Sequence, residues 1–150
     1  MSNVWVVVAD ASRARFFRGS SINKPLDEFH DMVNEEIRQD ELDLVTDKPG
    51  RFHDDSSGNT PQRSSAEPTA RQHSKESFGK DIGTYIEKHR ARGSFNHISL
   101  IAEPKLLGYI RNELSNATEE VILEEVNKNV TQQDEETIRE KLTRLPSGFK

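Results

Sequence analysis

Val4-Trp5-Val6-Val7-Val8-Ala9 is an unbroken apolar run, mostly β-branched. Such a run reads as a buried strand. Asp10-Ala11-Ser12 follows it with short polar residues that favour a turn. Ala14 to Arg18 (ARFFR) then reads as a second strand, and the short connection makes the two antiparallel neighbours. A loop spans 19–25. Rough alternation from Leu26 to Glu35 predicts a third strand, with Phe29 and Val33 on one face and His30 and Met32 on the other. Helix is the competing reading of that stretch.

The next segment is different in kind. Residues 46–72 hold three apolar side chains, Phe52, Ala66 and Ala70, in 27 positions, together with Pro49, Pro61, Pro68, Gly50 and Gly58. So little apolar surface does not offset the entropy of ordering a chain, which predicts a mobile loop at about 46–72. The whole sequence leans the same way, with 32% apolar and 31% charged residues.

Beyond the loop the period changes to that of a helix. Phe78, Ile82, Tyr85, Ile86 and His89 share one helical face, and Gly93 closes it. Phe95 to Ala102 is a short apolar strand. Pro104 can open a helix with Leu106, Leu107, Ile110 and Leu114 as its stripe. Val121 to Val126 reads as a last strand, with acidic residues that suit a sheet edge. Thr131 can cap a final helix, with Asp134 at the capping-box position and Ile138, Leu142 and Leu145 facing inward. The order β-β-β, loop, α-β-α-β-α predicts one α/β domain over 1–150. Its three antiparallel strands and alternating helices and strands make a mixed sheet covered by helices, the order found in ribonuclease H-like folds.

With 21 Lys+Arg against 26 Asp+Glu the net charge is −5, which argues against a protein that coats nucleic acid generally. The charge is uneven. Arg71 to Arg92 carries six Lys/Arg and three Asp/Glu, whereas Glu113 to Glu140 carries nine acids and only Lys128 and Arg139 as bases. The first of these segments is the phosphate-facing candidate, and a solvated helix face is the simpler account of it. The chain has no Cys, hence no disulfide framework, thiolate zinc site or cysteine nucleophile. It shows no signal-peptide pattern and no bilayer-spanning stretch, so a cytoplasmic location without membrane insertion is expected. No P-loop, dinucleotide fingerprint, nucleophile elbow or zinc signature is present, and no cofactor is expected.

Val8-Ala9-Asp10-Ala11-Ser12-Arg13-Ala14-Arg15-Phe16-Phe17 resembles the opening of the bacterial host-attachment protein family, described as required for attachment to host cells. Other motifs resemble that family in the same order. They are Asp47-Lys48-Pro49-Gly50-Arg51, His73 with Glu76, Ala102-Glu103-Pro104-Lys105-Leu106-Leu107-Gly108, and Glu125-Val126-Asn127-Lys128-Asn129-Val130-Thr131. Glu103 replaces a family Pro, and Asn129 stands where an Asp is usual. The family is similar to the central domain of archaeo-eukaryotic peptide-chain release factors. Residues 46–72 occupy the place of the release factors' Gly-Gly-Gln tip but contain no such sequence, so peptide release is not carried over. The resemblance implies a non-catalytic cytosolic binding module with RNA or the ribosome as partner, no DNA specificity, and an indirect role in attachment. A direct host-cell attachment factor is one alternative.

Arg13, Arg15, Arg51, Arg71, His73, Lys75, Lys80 and Lys88 are the candidate binding residues. Guanidinium forks at Arg13 and Arg15 suit an anion or carboxylate; in the simpler reading Asp10 and Ser12 serve only to bond their own turn. A second alternative is a metal-dependent phosphodiesterase or nuclease. In a ribonuclease H-like order Asp10, Glu76 and Glu103 stand near metal-binding places and Asp134 starts the last helix. Acids also favour turns and helix N-termini for structural reasons alone.

Overall fold

The computed structural model describes residues 3–38 and 59–143, with the side chains of 59–69 excepted. Five strands form one mixed sheet: β1 (Val4–Ala9), β2 (Arg13–Gly19), β3 (Asp27–Val33), β4 (His97–Ile101) and β5 (Ile122–Val126), in the order β3-β2-β1-β4-β5. The helices are α1 (Asn59–Ala91), α2 (Pro104–Arg111), α3 (Asn116–Glu119) and α4 (Glu135–Glu140). A helical turn also occupies 35–38.

β1 sits at the centre, and every one of its residues is buried. Alternation splits them between two cores. Trp5, Val7 and Ala9 join Phe16, Leu100 and the inner faces of α1 and α2. Val4, Val6 and Val8 join Phe17, Ile22, Leu26 and Ile101, with Ile138 and Leu142 covering them. Burial on both faces explains why the strand reads as a continuous apolar run.

β1 pairs antiparallel with β2, and β2 with β3; β1 pairs parallel with β4, and β4 with β5. Hence β2 alone runs against the other four. The antiparallel meander, the entry of β4 into the same sheet and the edge position of β5 agree with the sequence. The predicted faces of the third strand need correction. A register shift between Phe16 and Phe17 leaves Phe29 as an extra residue in β3, and Phe29 packs with Met32 on the Trp5 side.

The predicted loop is corrected more substantially. Residues 59–72 are helical, and the rest of that segment, 46–58, lies outside the described residues. The apolar count misleads because Phe78, Ile82 and Ile86 anchor the helix, and turns added to an existing helix need no core of their own. At its other end α1 stops in a Schellman motif. Gly93 adopts φ 78, Ser94 N donates to His89 O at 2.9 Å, and Gly93 N donates to Arg90 O at 2.9 Å.

Two glycines set the α1–α2 crossing. A Cβ on Gly79 would stand 2.5 Å from Tyr109 Cβ, and one on Gly83 would stand 2.6 Å from the Ile110 carbonyl oxygen. Only hydrogen at these positions lets the helices approach this closely. The last helix also differs from expectation. Asp134, not Thr131, is its N-cap and accepts from Thr137 N at 2.9 Å.

Candidate functional site

The carboxyl ends of the parallel strands are where α/β sheets place ligands. Here the ends of β1, β4 and β5 bring together Asp10, Glu103 and the segment 127–131. Asp10 Oδ1 accepts from Ser12 N at 2.8 Å, Ser12 Oγ at 3.0 Å and Arg13 N at 2.9 Å. Its second oxygen accepts the Thr131 hydroxyl. Asp10 therefore closes its own turn, as short polar residues do, and also ties that turn to the chain beyond β5.

Arg15 is equally committed. Its guanidinium forks onto Glu28 at 2.9 and 3.0 Å, donates to the Thr131 and Gln133 carbonyls at 2.7 Å, and lies 5.1 Å from the Phe17 ring centre. The Glu28 fork holds its pKa above the ordinary arginine value. Arg13 pairs with Asp31 at 3.0 Å on the surface. Neither arginine waits unpaired for an outside anion.

Asn34 and Ser74 form a buried link beside this turn. Asn34 Nδ2 donates to the Ala11 carbonyl at 3.0 Å and to Ser74 Oγ at 3.1 Å, and Ser74 Oγ donates back to Asn34 Oδ1 at 3.3 Å. One residue on, Lys75 Nζ stands 3.8 Å from Glu103. The remaining acids are dispersed. Glu76 is exposed on α1, and Asp134 caps α4 with its carboxyl held below the usual range by the Thr137 hydrogen bonds. Asp10, Glu76, Glu103 and Asp134 do not converge, and no group of three metal-ligating side chains occurs among the described residues.

The cations of α1 divide into two sets. Arg71 and Lys75 are half-buried and have partners. His73, Lys80 and Lys88 are exposed, and neither lysine has an acidic partner within ion-pair distance among the described residues. Arg51 lies outside the described residues.

Sequence reasoning missed two clusters. Glu87 Oε1 accepts from the Thr118 hydroxyl at 2.6 Å and Ser115 N at 3.0 Å, while Arg90 reaches Glu87 and Thr118 at 3.3 and 2.7 Å. Burial alone would raise the Glu87 pKa, but the hydrogen bonds from Thr118, Ser115 and Arg90 outweigh it and hold the carboxyl at about 2. The second cluster is aromatic. Tyr85 stacks on His30 with centroids 4.4 Å apart and 4° between planes, and meets His89, also at 4.4 Å. Trp5 lies 5.4 Å from His89, and the Arg18 guanidinium lies 4.7 Å from the Phe29 ring centre. Burial lowers the His89 pKa, and neighbouring Arg92, Lys88 and His30 lower it further.

The family described as "Protein required for attachment to host cells" matches residues 5–142. The chain belongs to this family. For a host-attachment family member, the match runs from the Trp5 end of β1 to Leu142, the last buried residue of the second core, and so spans all five strands. No individually curated protein matches the chain. No helix among the described residues is long and apolar enough to cross a membrane.

Proposed function

We propose that this host-attachment family member is a non-catalytic, cytoplasmic binding module whose long helix contacts RNA or a ribosomal surface. The observation that carries this reading is the division of charge. Asp10, Arg15, Glu103 and Asp134 are taken up by bonds within the fold, whereas His73, Lys80 and Lys88 stand exposed on a 33-residue helix. Exposed lysines on a helix suit a phosphate backbone, and the exposed acids Glu76 and Asp81 lie on the same helix. The strand order, with β2 alone reversed, is the order that the ribonuclease H-like reading calls for.

Sedimentation with ribosomes, and binding to single-stranded RNA across a salt series, test the proposal. Affinity falls with salt at a log–log slope of about −0.7 per contacted phosphate. Replacing Lys80 and Lys88 by Ala flattens that slope and weakens binding to all sequences alike, because phosphate contacts carry no base readout. Absent or salt-insensitive binding by the wild type overturns the proposal. Recovery of the native protein on the cell surface, with no RNA binding, favours a direct attachment role in keeping with the family's description.

A further inference from the structure

We propose that the stacked rings of His30 and Tyr85 form a platform for an unpaired base of single-stranded RNA. This rests on the RNA reading above and adds a second kind of contact, with the base instead of the phosphate. Aromatic and imidazole rings are the usual partners of splayed-out bases.

Tyr85 covers one face of the His30 ring, and His30 as a whole is half-buried. Tyr85 lies parallel to His30, and the other ring beside His30 is Phe16, tilted by 57° at 5.2 Å. β3 is the edge strand among the described residues, so no described strand stands on the outer side of His30. The His30 nitrogens make no hydrogen bond among the described residues, and neither is sealed from solvent. Tyr85 is braced from below by Phe16 at 4.9 Å and from the side by His89. The platform is therefore fixed before any ligand arrives, which lowers the ordering cost of binding.

Cations flank the platform, and Asp81, one turn before Tyr85, is an exposed acid on the same helix. Arg18 lies on the Phe29 ring, and Lys88 and Arg92 are exposed near His89. Lys88 also joins the platform to the exposed face of α1 that holds Lys80. The acids of β3 are mostly engaged elsewhere: Glu28 is held by Arg15 and Asp31 by Arg13. Asp27 is paired in register with Arg18.

The test uses the full chain and a short fluorescein-labelled oligouridine, read by anisotropy at low salt, with an abasic strand of equal length as control. Stacking of one base is worth about 1–3 kcal/mol, so His30→Ala weakens oligouridine binding about 5- to 150-fold. His30→Phe, which keeps a ring, retains the affinity. The wild type prefers oligouridine to the abasic strand, and His30→Ala does not. Far-ultraviolet circular dichroism and Trp5 emission establish that each variant is folded. Should His30→Ala unfold, His30→Leu replaces it, and equal affinity of the Leu and Phe variants overturns the platform. If His30→Ala binds like the wild type while the Lys80 and Lys88 variants lose affinity, the platform fails and phosphate binding stands. If the wild type binds no RNA, both fail.

Discussion

The Thr131 hydroxyl donates to the Asp10 carboxylate and so joins the turn after β1 to the chain beyond β5, across 121 residues of sequence. Asp10 thus serves three neighbours with one side chain: its own turn, the start of β2 and the approach to α4.

Removing either partner tests this. Thr131→Val keeps the shape but deletes a hydrogen bond to a charged acceptor, a loss of about 1.5–3 kcal/mol. Asp10→Ala loses more, because Ser12 N and Arg13 N lose their acceptor as well. Urea unfolding of the two single variants and the double variant gives the coupling, and strict additivity contradicts the assigned bond.

The glycines of the helices behave oppositely. Gly83→Ala drives a methyl to 2.6 Å from the Ile110 carbonyl and destabilises by about 1–3 kcal/mol despite the better helix propensity of alanine. Gly108→Ala, within α2 and with nothing inside 4 Å of the added carbon, stabilises by up to about 1 kcal/mol. Equal effects at both sites contradict the close crossing of α1 and α2.

Glu87 sets an acid limit. Its pKa is about 2 folded against an ordinary 4.5. The folded state therefore binds fewer protons than the unfolded state between these values. The contribution is complete above about pH 4.5 and is lost as pH falls toward about 2. Stability of Glu87→Gln, followed by chemical unfolding across that range, lacks this part of the slope.

His89 acts in a higher window. Its folded pKa lies below the ordinary 6.5, so the neutral ring is the form that stabilises the fold. Its contribution is complete above pH 6.5 and declines as pH falls through the folded pKa. NMR titration of the imidazole gives a midpoint below 6.5, and His89→Gln removes the stability change in that window.

The strands and their order were legible because their signals are local. The β-branched run of β1, the polar turn at Asp10–Ser12 and the change of period at Phe78 are each carried by a short stretch of neighbouring residues. The full length of α1 was not legible, since the sequence of residues 59–72 carries no apolar stripe. Nor were the side-chain links. Asn34–Ser74 and Glu87–Thr118 join residues 40 and 31 apart, and neither member differs locally from an ordinary surface residue. The short helix α3 did leave a sign, Ser115 three residues before Thr118, whose backbone N–H the serine caps. Sequence alone does not separate Lys80 and Lys88 from Lys75, which Glu103 holds.

The central position of β1 also divides the molecule in time. Its pairing with β2 needs only a short turn, while its pairing with β4 joins Val4 to His97, after the whole of α1 has been spanned. Loop-closure entropy grows only slowly with length, so the distant pairing affects final stability little and folding rate more. One edge of β1 is thus available to its partner as soon as synthesis has passed residue 19. The other stays open until synthesis has passed residue 101, leaving an apolar strand unpaired on that side while the residues between β2 and β4 are made.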